Sequence, residues 1–269
     1  MNKIKKRSIF RYLICALVII LVLRIALYDG LTVKNYIIDS PYTEGEHTFV
    51  VITDLHSSLY GRNQEKLISK IDNISPDAIF LVGDIGDNHR DFDNTAALLY
   101  GIAEKYTCYY VPGNHERRVD YTDDIHSLFE SYGVVVMSGK SVDIGDGIVL
   151  HGVDDPVFYK SESFFITSLY DYPVKSQKFD ILLSHRPEYA LEYQFAEFDL
   201  TLSGHAHGGQ VIVPYMVNGL YAPNQGFFPQ WAGGEYKTGS STLIVSRGLM
   251  KNELPRVFNP PELVVLTVK

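Results

Sequence analysis

The chain has 269 residues, 46% of them hydrophobic and 21% charged, which is enough to bury a full core and excludes a disordered, collagen-like or polytopic membrane protein. Its formal charge of -8 hides an asymmetry: residues 1–28 hold six basic residues and no acid, leaving 18 basic against 32 acidic residues after them, a net of -14. A body so charged repels polyanions, so no nucleic-acid polymer is expected as a partner, whereas free nucleotides and phosphate esters are not excluded.

In chain order, the first feature is a basic leader (Lys3, Lys5, Lys6, Arg7, Arg11) followed by the apolar run Tyr12 to Leu23, then Arg24 and a further apolar stretch from Ile25 to Tyr28. With Arg24 snorkelling, residues 12–28 reach the lower limit for a spanning helix. The expectation is an uncleaved signal anchor over residues 1–28, a connector over 29–47 and a folded domain over 48–269. The positive-inside bias then gives a single-pass cell-membrane protein with that domain outside the cytoplasm. Cys15 and Cys108 both sit in apolar runs, so no disulfide framework is expected.

Short β-branched and aromatic runs follow: Phe49 to Thr53, Ala78 to Val82, Thr107 to Val111, Gly133 to Met137, Gly147 to Val153, Phe179 to Ser184 and Phe198 to Ser203. Each is expected to be a buried strand. Amphipathic stretches between them, at Gln64 to Ile74, Asn94 to Tyr106, Thr122 to Tyr132 and Glu188 to Ala196, suit helices packed on a sheet. Further strands are expected at Gln210 to Pro214, Ser241 to Arg247 and Glu262 to Val268. A long ordered loop is expected from Tyr215 to Gly239. Its aromatics, Phe227, Phe228, Trp231 and Tyr236, either line an apolar entrance or pack the loop.

In an open α/β sheet, ligands bind at the carboxyl ends of strands. Asp54 and His56 follow the first run, Asp84 and Asp87 the second, and Asn114, His115 and Glu116 the third. His185 follows Phe179 to Ser184, and His205 with His207 follows Phe198 to Ser203. Five of the nine histidines thus fall directly after expected strands, flanked by Gly83, Gly113 and Gly204, which permit close backbone approach.

The ordered set Asp-x-His, Gly-Asp-x-x-Asp, Gly-Asn-His-Glu, His and Gly-His-x-His resembles the calcineurin-like metallophosphoesterases, and Ser246 to Leu249 and the closing PPELVVLTV resemble their membrane-anchored or exported bacterial branch. The resemblance implies an α/β fold, a four-layer α-β-β-α sandwich of two mixed sheets, here preceded by the anchor helix. It implies one metal held by Asp54, His56, Asp84 and His207 and a second held by Asp84, Asn114, His185 and His205. A carboxylate such as Asp84 can bridge two cations about 3.5 to 4 Å apart. The mixed nitrogen and oxygen donors suit Mn, Fe, Zn or Co. The resemblance also places His115 at the leaving group, with Glu116 holding its orientation and Asp87 orienting it or a backbone turn. Arg186 and Arg247 are candidate phosphate or carboxylate partners of a substrate because a guanidinium can bind such groups bidentately, the alternative for each being an ion pair within the protein.

His151, Asp154 and Asp155 are read as a structural loop group, and His47, His89 and His126 carry no pattern. The implied reaction is hydrolysis of a phosphodiester or pyrophosphate by a metal-bound hydroxide. The substrate is a phosphorylated small molecule or a lipid-linked, amphiphilic envelope compound. Competing readings are a phosphomonoesterase, a catalytically silent scaffold of the same fold, and a metal-dependent amidohydrolase, in which the Gly-Asn-His-Glu and Gly-Asp-x-x-Asp blocks have no place. A monomer attached to the membrane by its leader is expected.

Overall fold

β-branched and aromatic runs without helical period build two stacked sheets. The computed structural model describes residues 3–87, 90, 92–118, 125–174, 177–251 and 255–269. The first sheet runs in the order β1 (Thr32–Ile38), β14 (Glu262–Val268), β2 (His47–Ile52), β3 (Ala78–Val82), β4 (Thr107–Val111) and β5 (Val135–Val136). The second runs β12 (Gly234–Thr238), β13 (Ser241–Val245), β9 (Leu200–Ser203), β8 (Phe179–Leu183), β7 (Ile148–Gly152) and β6 (Lys140–Gly145). Both are mixed: β2 to β5 are parallel while β14 runs against β2, and β7, β8, β9 and β13 are parallel while β6 and β12 run against their neighbours. A hairpin of β10 (Tyr221–Ala222) and β11 (Gly226–Phe227) stands apart.

The inner faces meet in one apolar layer, with Phe49, Val51, Phe80 and Val82 of the first sheet against Leu150, Ile181, Leu183, Leu202 and Ile244 of the second. Outside the first sheet pack α2 (Glu65–Ile74), α3 (Asp93–Ala103) and α4 (Ile125–Ser131), through Leu67, Ile71, Leu98, Leu99 and Phe129. Outside the second pack α5 (Glu162–Ser168) and α6 (Ala190–Phe195), through Phe165 and Tyr193. This is a four-layer arrangement. Leu67 and Ile71 lie one turn apart on α2 and are fully buried, each worth roughly 1.5 to 3 kcal/mol of transfer energy.

Several expectations need correction. Among the described residues no helix is long and apolar enough to cross a membrane, so the single-pass anchor is not supported. Of residues 12–28, counted above as reaching the lower limit for a span, the helix α1 (Lys3–Ala26) contains only those up to Ala26, a rise of about 22 Å against a hydrocarbon core of about 30 Å, and Arg24 interrupts them. The segment read as a connector supplies β1, which pairs in parallel with β14 and puts Tyr36 and Ile38 in the inter-sheet layer. Residues 210–214 form only isolated bridges, Val211 with Val257 and Val213 with Val217, because the chain is turned by left-handed residues at Gln210 and Tyr215. The long loop from Tyr215 is shorter than expected, since β12 pairs with β13 as an edge strand. The beginning of the helix expected from Thr122, and His89, lie outside the described residues.

Candidate metal centre

Five strands, β2, β3, β4, β8 and β9, are followed by polar side chains that gather at the mouth between the sheets. Asp54 and His56 follow β2, Asp84 and Asp87 follow β3, Asn114 and His115 follow β4, His185 follows β8, and His205 and His207 follow β9. The turns that do this are strained: Asp54, His56, Asp84, His205 and His207 have φ of 48°, 46°, 54°, 63° and 49°. Non-glycine residues in this region cost of order 1 to 3 kcal/mol each and cluster at functional sites. Glycines supply the clearance. A Cβ on Gly113 would sit 2.2 Å from Asp84 Oδ1, and one on Gly204 2.3 Å from Asp54 Oδ2.

Asp84 is the centre. Its Oδ2 lies 3.2 Å from His185 Nε2 and 3.5 Å from His56 Nε2, while Oδ1 accepts the His115 N–H at 2.8 Å. Asp54 Oδ1 lies 3.8 Å from His185 Nε2 and 3.9 Å from His207 Nε2. Three groups of donors converge closely enough to share an ion: Asp54, His56 and His207; His56, Asp84 and His115; Asp84, His185 and His205.

The chemistry of these donors fits cations. His56 Nε2, His185 Nε2, His207 Nδ1 and Asn114 Oδ1 are buried without a hydrogen-bond partner. Four such orphans in one pocket would be costly in a site meant to stay without ions. His185 Nδ1 faces the Val82 carbonyl at 3.0 Å, so it donates there and leaves Nε2 its lone pair. Burial holds His205 and His207 well below the usual imidazole range, in the neutral form a ligand needs. For His185, burial pulls down but Asp84 and Asp54 outweigh it, raising it to about 10. Cations at those carboxylates remove the cause of that rise.

Asp87 takes two rings at once, with His56 Nδ1 3.2 Å from Oδ2 and His115 Nδ1 3.6 Å from Oδ1. The His115 ring stands edge-on to His56 at 4.5 Å and is 24% exposed, so a substrate can reach it. Burial lowers the affinity of His115 for its proton, but Asp87, Asp84 and Glu116 together outweigh that. Glu116 lies away from the role expected for it. Its carboxylate accepts N–H groups of Asp84 (2.9 Å), Ile85 (2.6 Å), Gly86 (3.0 Å) and Gly113 (2.8 Å), tying two ligand loops together instead of holding the His115 ring.

Arg186 is also buried, its fork on Asp155 at 2.5 and 3.0 Å, and its free corner meets Asn224 and Glu188 rather than open solvent. Arg247 lies 3.8 Å from Glu262. His151 is wedged between Ser141 and Asp180, 2.8 Å from each, and Asp154 accepts from Ser138. His47 contacts the Glu44 carbonyl, and His126 lies 3.7 Å from Asp154. Trp231 packs edge-on against Tyr236 at 5.0 Å, while Phe227 and Phe228 are exposed.

Three residues that the sequence did not single out hold the ligand loops. Asn259 Nδ2 donates to the His207 carbonyl at 2.8 Å, joined by Arg256, whose fork also reaches the carbonyls of Arg247, Gly248 and Met250. Arg90 donates to the His56 carbonyl at 3.1 Å. All three act through backbone oxygens, which no residue pattern marks.

Two mixed sheets closed over a carboxylate-centred ring of histidines define a candidate metal site. The profile of the calcineurin-like phosphoesterases matches residues 47–209, and the chain belongs to that family. Its members are phosphoric ester hydrolases that typically hold two divalent metals. The chain is 32% identical over 247 residues to an uncharacterized metallophosphoesterase of Campylobacter jejuni, covering 88% of this chain and 63% of that one. It is 29% identical over 248 residues to one of Bacillus subtilis, covering 88% and 84%. It thus spans less than two thirds of the Campylobacter relative. Among solved structures, a protein of Thermus thermophilus, TT1561, is similar with a TM-score of 0.47 and 14% identity over 75% of this chain and 89% of that one.

Proposed function

We propose that the chain hydrolyses a phosphodiester or pyrophosphate bond with two transition-metal ions, one on Asp54, His56, Asp84 and His207 and one on Asp84, Asn114, His185 and His205. The observation that carries this reading is the approach of Asp84 Oδ2 to both His56 Nε2 and His185 Nε2, at 3.5 and 3.2 Å, with both nitrogens buried and without a hydrogen-bond partner. When bound, such a pair of ions neutralises phosphoryl charge and makes water a nucleophile near neutral pH.

The protein's own groups supply the rest. Asp87 holds the His115 ring at the mouth and favours its proton, which suits donation to a departing oxygen. Glu116 fixes the loop that carries Asp84 against the loop that carries Asn114, so the bridging carboxylate is set before substrate arrives. Tyr221, Phe227 and Phe228 stand exposed on the β10–β11 hairpin, whose Asn224 meets His205. That placement supports an amphiphilic or lipid-linked ester as substrate.

The test is hydrolysis of bis-p-nitrophenyl phosphate and p-nitrophenyl phosphate by the purified chain, with and without Mn²⁺. Manganese-dependent release from the diester is the expected result. Release only from the monoester would replace diester by monoester hydrolysis, and no release with any transition metal would end the enzymatic reading.

A further inference from the structure

We propose that Asn224 is a positioning residue that sets the tautomer of His205 and thereby shapes the second cation position. The proposal rests on the two-cation reading of the site but not on the bond that is hydrolysed.

Asn224 sits between the strands of the β10–β11 hairpin, with φ of 61°, a conformation asparagine tolerates better than most residues. Its side chain reaches back into the mouth. Oδ1 lies 2.7 Å from Arg186 Nη1 and 2.9 Å from His205 Nε2. The amide orientation follows from the arginine, because a guanidinium only donates, so the atom 2.7 Å from it must be the oxygen.

The count of hydrogens then decides the histidine. Arg186 spends Nε and Nη2 on Asp155, at 2.5 and 3.0 Å. Nη1 gives its first hydrogen to Asn224 Oδ1, and its second has two neighbours, His205 Nε2 at 3.2 Å and Glu188 Oε1 at 3.3 Å. The carboxylate is the stronger acceptor for a guanidinium hydrogen, and the shortest contact of His205 Nε2 is the 2.9 Å one to Asn224 Oδ1, which can only accept. Oδ1 has a second lone pair, and the remaining donor beside it is an Nε2–H of His205. A neutral imidazole carries one proton, so Nδ1 keeps the lone pair. His185 reaches the opposite tautomer by a different route, through the Val82 carbonyl. There the orienting group is backbone; for His205 it is one replaceable side chain, itself held by the Asp155–Arg186 fork.

Two readouts test this on the full chain. In metal-free protein carrying ¹⁵N-histidine, NMR of wild type is expected to show His205 protonated at Nε2, with Asn224→Ala moving it toward a mixture of tautomers. In equilibrium dialysis with Mn²⁺ or Zn²⁺ alone, Asn224→Ala is expected to weaken the second of two ions by about 10- to 100-fold and leave the first unchanged. Asn224→Asp, which keeps an acceptor for Arg186 and His205, is expected to restore it. Wild-type His205 protonated at Nδ1 would overturn the proposal, as would an alanine variant that holds both ions at wild-type affinity or loses both equally. Two-ion binding that responds to Asn224 as expected, in a chain that splits no phosphoester, would sink the functional reading and uphold this one.

Discussion

The main-chain N–H of His205 donates to both carboxylate oxygens of Asp54, at 3.0 and 3.1 Å, across 151 residues of sequence. Asp54 follows β2 in the first sheet and His205 follows β9 in the second, so one fully buried carboxylate closes the two sheets over the site. Asp54→Asn keeps an oxygen for that N–H but weakens the charge at one ion. It is expected to fold and to bind one ion in place of two. Asp84→Asn alters the group shared by both positions and is expected to bind neither tightly. Metal analysis after gel filtration distinguishes them, and identical stoichiometries would contradict the assignment of Asp84 as the shared ligand.

His115 meets Asp84 through its backbone N–H, whereas its ring is turned toward Asp87 and solvent. His115→Ala leaves that N–H in place. It is therefore expected to retain both ions and to lose about 10²- to 10⁴-fold in turnover, the range for a removed proton donor. Metal content and kcat on the same preparation provide the check, and loss of an ion would show that the ring is a ligand.

Glu116 accepts four backbone N–H groups and is buried. Burial and the neighbouring Asp84 push its carboxyl up to about 7, against the pull of those donors. Glu116→Ala strands the donors and is expected to destabilise the chain by about 3 to 5 kcal/mol, as loss of one member of a buried charged network does. Glu116→Gln retains one acceptor oxygen and should cost less. Urea unfolding of metal-free protein measures both, and an alanine variant as stable as wild type would refute the tie between the loops.

The central strands were legible because they are buried on both faces: Ala78 to Val82 reads as a continuous apolar run and β3 has those same bounds. Of the edge strands, β5 falls within the run Gly133 to Met137, but β1, β6 and β12 were not legible. In β6 the sequence Lys-Ser-Val-Asp-Ile-Gly shows only two apolar residues, and β12, Gly-Glu-Tyr-Lys-Thr, only the one aromatic, since each faces solvent along one side. At the site, the side chains aimed at the centre were legible from their place after strands. Glu116 sat in the right block, but its partners are amides, and a sequence does not say which carboxylate will find four of them. Arg186 was open between a phosphate partner and an ion pair, and Asp155, which takes its fork, approaches it only through the fold. Residues 12–28 misled for a simpler reason, since they reach the length of a span only by counting across Arg24 and past Ala26, where α1 ends.

Cys108 gives a prediction independent of the metals. It lies on β4, 1% exposed, against the helices outside the first sheet, and burial pushes its thiol from 9.0 up to about 12. The thiolate is the form that reacts with alkylating agents. At pH 8.5 iodoacetamide is expected to label exposed Cys15 but not Cys108 in native protein, and both in urea. Below pH 9 both folded and unfolded chains keep the Cys108 proton, so the thiol adds no pH dependence. Between pH 9 and about 12 the unfolded chain releases that proton while the folded chain retains it, so stability falls as pH rises, by up to about 1.4 kcal/mol per unit. Tyrosines titrate in the same window, and Cys108→Ala isolates the thiol: its unfolding free energy should fall less steeply than that of wild type between pH 9 and 10. Equal slopes, or native labelling of both thiols at pH 8.5, would show that Cys108 is reached by solvent.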